Sequence, residues 1–189
     1  MGVGTMIVNI RGCNGSGKSA IARAFLATPG TCEIALAPYT TAKGAPRSVM
    51  GYEAGDLIVI GPYRTPCGGC DAIPTQALVK ESVRLAARRA RHVLFEGVII
   101  STLFSGYLTL SEELRTAGQD YLWAYLDTPL AVCLARIQAR NGGKTIKEQL
   151  VADKVKSIDA TRRKAAAAGE RVLTLPGDHA VEILREVMG

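Results

Sequence analysis

The chain has 189 residues, 48% of them hydrophobic, with a formal net charge of +6. This size suits one compact α/β domain, residues 1–189, with a sizeable core. It contains no apolar run near the ~20 residues of a membrane span, too few aromatics (5%) for a single-strand stacking platform, and an odd number of cysteines, five, so reduced thiols are expected.

The first predicted strand, 5–11, rests on the apolar run Met6-Ile7-Val8-Asn9-Ile10, and no signal-peptide layout precedes it, so a cytoplasmic protein is expected. Next comes Gly12-Cys13-Asn14-Gly15-Ser16-Gly17-Lys18-Ser19, which fits G-x-x-x-x-G-K-[ST] at every fixed position, and then a helical pattern over 17–27. Strand, loop and helix in that order are what a phosphate-binding loop requires. Its glycines let consecutive N–H groups face a phosphate chain, and the helix adds its positive end. Lys18 can reach the β- and γ-phosphates of ATP, and the Ser19 hydroxyl can bind Mg²⁺.

Further strands are predicted at 32–36 and 56–60, with a short one at 48–52 feeding the latter through a turn. Cys67-Gly68-Gly69-Cys70-Asp71 follows. A Cys-x-x-Cys pair invites a zinc reading, but no second pair exists, and a tight loop that brings backbone close to a ligand fits better. Asp71 is then a candidate general base or, alternatively, a turn or cap residue. A helix over 74–91 carries Lys80, Arg84, Arg88 and Arg91 on one arc, either a track for a nucleic-acid backbone or a wet face.

Strand 92–97 ends in Glu96-Gly97, and an acid at that position beside a phosphate loop is a candidate to hold Mg²⁺ or position water. Residues 101–117 have no clean period, although Ser111-Glu112-Glu113-Leu114 looks like a helix start. After a strand at 120–126, Thr128-Pro129 opens a helix over 129–140 whose Arg136 and Arg140 share a face. Asn141-Gly142-Gly143-Lys144 breaks it, helix 146–168 stops at Gly169, and strand 171–175 and helix 179–188 complete the chain. Alternating strands and helices imply a mainly parallel sheet covered on both faces.

These residues resemble the nucleoside-monophosphate-kinase branch of phosphate-loop proteins, including thymidylate kinases. The resemblance rests on Ile10-Arg11-Gly12 through Ser19, on Glu96-Gly97, and on Leu126-Asp127-Thr128-Pro129 followed by Arg136 and Arg140. It implies a P-loop NTPase fold, a three-layer α/β sandwich, with Arg136 packed on adenine and Arg140 on phosphate before a lid near 140–148. The Asp-Arg-Tyr/His signature of ordinary thymidylate kinases is missing. A closer resemblance is to the bacteriophage 5-hydroxymethyl-deoxyuridine DNA kinases. It runs through Ile7–Gly12, Gly51-Tyr52, Gly61–Asp71 and His92–Gly97.

That resemblance implies MgATP bound at residues 12–19 and phosphoryl transfer to 5-hydroxymethyluracil within DNA. The phosphoester would be an activated intermediate in making a bulkier thymine derivative. Lys18 and Arg140 would neutralise the transferring group, Ser19 and Glu96 would hold the metal, and Asp71 would activate the acceptor hydroxyl. Arg47, Tyr63, Arg64 and Gly69 would line the acceptor cleft, which needs a flipped or unpaired base, with a surface-turn role as the alternative for Arg47, Tyr63 and Arg64. No membrane or obligate protein partner is expected. A kinase for a free deoxynucleotide or small metabolite shares the same ATP site, and a P-loop ATPase or nucleotide-dependent binding module is the alternative from another class.

Overall fold

A computed structural model describes residues 4–65, 68–142, 144 and 147–189. The first half runs β1 (Met6–Arg11), α1 (Lys18–Leu26), β2 (Cys32–Thr40), β3 (Pro46–Ala54), β4 (Leu57–Ile60), α2 (Gln76–Ala87) and β5 (His92–Glu96). The second runs α3 (Val98–Thr102), α4 (Ser105–Thr116), β6 (Asp120–Asp127), α5 (Leu130–Arg140), α6 (Glu148–Ala167), β7 (Val172–Pro176) and α7 (Ala180–Met188).

The strands form one seven-stranded sheet in the order β2-β3-β4-β5-β1-β6-β7. From β4 to β7 every neighbouring pair is parallel, whereas β3 runs antiparallel to both β4 and β2. Strands β1 and β5 are buried at every position, as expected for parallel strands covered on two sides. Alternation along them divides the core. Ile7, Val93, Phe95, Tyr121 and Trp123 face α2, α4, α5 and α6. Val8, Ile10, Leu94, Leu122 and Ala124 face α1 and α7. The fold is therefore α/β with a mostly parallel sheet.

Arg11 ends β1 and is fully buried. Its guanidinium lies 4.0 Å over the Trp123 ring and 5.3 Å from that of Tyr107, and Nη1 donates to the Leu103 carbonyl at 2.9 Å. With the amide oxygen of Asn9 turned toward it, Nε and Nη2 donate at 3.1 and 2.9 Å. Burial pulls its pKa below the ordinary guanidinium value, and among the described residues it makes no ion pair. Aromatic faces and neutral acceptors thus fix the point where the glycine-rich loop leaves the sheet.

Three expectations needed correction. Residues 98–116 form two helices, α3 and α4, and the expected start at Ser111 falls inside α4, where Ser111 is buried against Glu170. The short strand expected at 48–52 is nine residues long, and with β2 it makes a long hairpin. Helix α2 stops at Ala87, because the chain must reverse to enter β5 at His92. Arg88 is its C-cap and Arg91 lies outside it, so the four cations are not one helical stripe.

Candidate active site

The C-terminal ends of β1, β4 and β5 carry the glycine-rich loop, the segment after Gly61, and Glu96 respectively. Open parallel sheets bind ligands at this end. The loop spans Gly12–Gly17 and α1 begins at Lys18. Gly15 has φ +77°, and a Cβ there would overlap the Cys133 carbonyl of α5. Thr128 Oγ1 donates to the Ser16 carbonyl at 2.9 Å, and Gly12 N donates to Ser101 Oγ at 3.0 Å. The loop is thus pinned by Thr128 just after β6, by Ser101 of α3 and by the close approach of α5.

Lys18 is buried, and its Nζ donates to the carbonyls of Gly12 and Cys13, each at 2.9 Å. Burial lowers its pKa, with Glu96 and Asp71 opposing that shift. Ser19 Oγ donates to Glu96 Oε1 at 2.8 Å, and Tyr63 OH reaches the same oxygen at 3.5 Å. Burial raises Glu96 above its ordinary carboxyl value, against the pull of Lys18 and the Ser19 hydrogen bond. Burial also keeps Tyr63 protonated as a donor. The Ser19 hydroxyl and Glu96 carboxylate form an oxygen pair suited to a hard divalent cation, next to the lysine of the loop. On that donor set, the residues fit Mg²⁺.

Asp71 follows the glycine pair. Oδ2 accepts from Val98 N at 2.7 Å and Oδ1 from Ile99 N at 2.9 Å, so the side chain caps the start of α3. The same carboxylate lines a cavity of about 240 Å³ together with Lys18, Ser19, Glu96, Arg136 and Arg140. Asp71 therefore takes the cap position that was the alternative reading, and its carboxylate also borders the cavity. Arg136 Nη1 donates to the Gly15 carbonyl at 3.3 Å, bringing the α5 arginine face to the loop. A second cavity of about 240 Å³ lies on the α6 side of the loop, where buried Ser16 Oγ has no hydrogen-bond partner among the described residues.

Cys13 Sγ lies 3.3 Å from Cys133 Sγ. That contact first, with help from Lys18, holds the Cys13 thiol down to about 7 and pushes Cys133 up. Cys70 is fully buried beneath the Ile60 carbonyl. Cys67, and parts of the expected lid at 143, 145 and 146, lie outside the described residues.

The four residues expected to line the acceptor cleft are dispersed. Tyr63 points into the site at Glu96. Gly69 lies against Glu96, with φ +86°, where a Cβ would overlap Oε1. The loop backbone there packs closely on the acid. Arg64 is exposed and forks onto Glu33 of β2, away from the cavity. Arg47 is exposed on β3 and does not line the cavity. The cations on and after α2 lead away from the site. Arg84 is held by Glu113, and Arg91 pairs with Asp56 while its carbonyl accepts from Met6 N, at the opposite end of the sheet.

Sequence reasoning missed Ser101 and Lys154, whose Nζ donates to Asn14 Oδ1 at 3.3 Å, and read Thr128 as a helix opening without its bond to the loop. All three reach the loop across gaps in sequence that no local pattern encodes.

The profile of the 5-hmdU DNA kinase family matches residues 2–168. A "5-hmdU DNA kinase" of Pseudomonas phage M6 is 39% identical, with 96% of each chain covered. One of the same description from Pseudomonas phage PaMx11 is 30% identical, again over 96% of each chain. Another from Delftia phage PhiW-14 is 30% identical over 86% of this chain and 65% of its own. Among the described residues no helix is long and apolar enough to cross a membrane.

Proposed function

Because this chain belongs to the family of 5-hmdU DNA kinases, we propose that its cavity transfers the γ-phosphoryl group of ATP to the hydroxymethyl group of 5-hydroxymethyluracil in DNA. Residues 1–189 act as a single kinase domain with a P-loop NTPase fold, and 140–148 serve as its lid. The observation that carries this reading is the meeting of Lys18, Ser19, Asp71, Glu96, Arg136 and Arg140 around one cavity. A phosphoryl transfer needs that set: cations for the phosphates, oxygens for a metal and an acid near the acceptor. The enzyme works in the cytoplasm of the infected cell.

The loop amides from Cys13 to Lys18 bind the phosphate chain. Lys18 exchanges the carbonyls of Gly12 and Cys13 for phosphate oxygens. Its low-dielectric setting strengthens that attraction. Ser19 and Glu96 are the residues that would hold Mg²⁺, which would supply positive charge against the phosphates. Arg136 packs on the adenine and Arg140 contacts phosphate. Asp71, anchored by two amides of α3, keeps further lone pairs for the acceptor hydroxyl. It takes the proton as the hydroxyl oxygen bonds to the γ-phosphorus and ADP leaves. The two α3 amides stabilise the carboxylate and fix its direction, so the proton acceptor is positioned before the substrate arrives. Tyr63 holds Glu96 from behind.

The test is transfer of γ-labelled phosphate to DNA that contains 5-hydroxymethyluracil, with Lys18→Ala and Glu96→Gln beside the wild type. The wild type labels the DNA and both variants lose at least about 10²-fold in rate. Unlabelled DNA with the wild type, or full activity in Lys18→Ala, overturns the reading.

A further inference from the structure

The hairpin of β2 and β3 reaches past the rest of the sheet at the end that holds the site. The last backbone link from β3 to the strand beside it is Gly61 N to the Met50 carbonyl, at 2.9 Å. From Val49 back to Pro46, β3 is paired with β2 alone, through Pro38↔Ser48, Tyr39↔Arg47 and Thr40↔Pro46. At the usual strand rise this arm stands about 13 Å beyond the end of β4. Its base is anchored, since Leu36, Ala37 and Val49 are buried in the core cluster on the α2 face. Its tip, around Lys43 and Gly44, is exposed.

The charge on the arm has one sign. From Ile34 to Tyr52 there is no aspartate or glutamate, while Lys43 and Arg47 are both present. Among the described residues neither makes an ion pair or a side-chain hydrogen bond, unlike Arg64, Arg84, Arg89 and Arg91. Arg47 stands directly across from Tyr39, and strand alternation puts it on the same face as Val49. That is the α2 face, to which Cys70 and Ile73 on either side of the Asp71 turn also belong. The arm adjoins β4, whose exit leads to Asp71, and the ATP loop leaves β1 two strands further on. A chain entering the acceptor side would therefore meet the arm before it met the nucleotide.

We infer that this hairpin is a docking arm for the DNA backbone beside the acceptor nucleotide, with Lys43 and Arg47 each neutralising a phosphate. The inference rests on the proposed DNA acceptor and names the surface that holds it. Two isolated cations are suited to this: they supply attraction that does not depend on sequence, while the cleft identifies the base. It also replaces the expected arc of cations around α2, of which Arg84 is held by Glu113 and Arg91 lies at the opposite end of the sheet.

The test is binding of a fluorescent single-stranded oligonucleotide containing one 5-hydroxymethyluracil, measured by anisotropy over a range of salt. The proteins are the wild type, Lys43→Gln/Arg47→Gln, and Arg88→Gln/Arg171→Gln. The last pair removes the same charge near the N-terminal ends of β5 and β7. The arm variant binds more weakly, and its slope of log K against log salt is flatter by about 1.4, that is about 0.7 per lost phosphate contact. The control variant keeps the wild-type slope, and all three melt alike. Equal slopes for wild type and arm variant, or the same loss in the control, overturn the inference. Unchanged DNA binding with a shift in sedimentation makes the arm a contact between copies and also overturns it. Turnover is scored separately: wild type that binds through the arm yet phosphorylates no DNA removes the proposed reaction and leaves the docking surface standing.

Discussion

Replacing Gly69 by alanine tests whether the loop after β4 is built to press on Glu96. Gly69 has φ +86° and ψ −165°, a region that only glycine occupies readily, so the backbone term alone costs about 1–3 kcal/mol. The new methyl would overlap Glu96 Oε1, lie 2.6 Å from Cδ and lie 2.9 Å from the Glu96 carbonyl oxygen. Overpacking of this kind adds about 1–3 kcal/mol. Taken together, roughly 4 kcal/mol lowers the melting temperature by about 8–16 °C in a chain of this size. Gly30→Ala is the control, because Gly30 has a similar φ of +82° and nothing within 4 Å of a new Cβ. It carries backbone strain of about 1–2 kcal/mol and no clash. Thermal melting and kcat are measured on both. In Gly69→Ala the acid moves off Ser19, and kcat drops by at least about 10²-fold while Gly30→Ala stays near wild type. Equal melting temperatures and equal kcat for the two variants would refute the packing argument.

Asp71→Asn keeps the size and one of the two caps on α3, because its single amide oxygen can accept from only one of the Val98 and Ile99 amides, and it cannot take a proton. It should lower kcat about 10²–10⁴-fold with little change in the KM for ATP, and near-normal turnover would return Asp71 to capping alone. Glu96 gives a pH signature. Because burial raises it above its ordinary value of 4.5, the folded protein holds that proton more tightly than the unfolded chain. The cost of the buried charge therefore appears as pH rises from about 4.5 through the raised value, and is constant above it. The stability of wild type minus that of Glu96→Gln should fall between pH 4.5 and pH 8, and a pH-independent difference contradicts the assignment. Cys70→Ser places a hydroxyl in a fully buried site, so it should lose about 1–3 kcal/mol in a denaturant melt while keeping most of its turnover; full loss of activity would give the thiol a chemical role.

The loop at 12–19 and Glu96 were legible because each is a local pattern: a glycine spacing between strand and helix, and an apolar run ending in an acid. Structure adds the 2.8 Å bond that joins Ser19 to Glu96, as the parallel pairing of β1 with β5 requires. Asp71 stood out by its glycine neighbours, but its partners, the Val98 and Ile99 amides, lie far along the chain in a short helix that no local pattern announced. The cations around α2 misled because periodicity gives a face and not a position along the sheet. A helix that follows a parallel strand runs back along it, so its last turn lies farthest from the strand end that binds ligands. Arg47 was read as lining a cleft, and the register with Tyr39 puts it instead on an arm beyond the cavity. Arg11 went unnoticed because three of its neighbours, Tyr107, Trp123 and Tyr125, come from distant segments.

The central claim is that the phosphoryl group goes to a hydroxymethyl group on a base within DNA. The most direct measurement offers γ-labelled ATP with three acceptors in parallel: DNA containing 5-hydroxymethyluracil, the matching free deoxynucleotide, and thymine DNA of the same sequence. Each product is digested to nucleosides and the labelled species is identified. Label is expected on the hydroxymethyl oxygen of 5-hydroxymethyldeoxyuridine from the first acceptor, and none from thymine DNA. Label on the free nucleotide without label in DNA would contradict it and make the chain a small-molecule kinase.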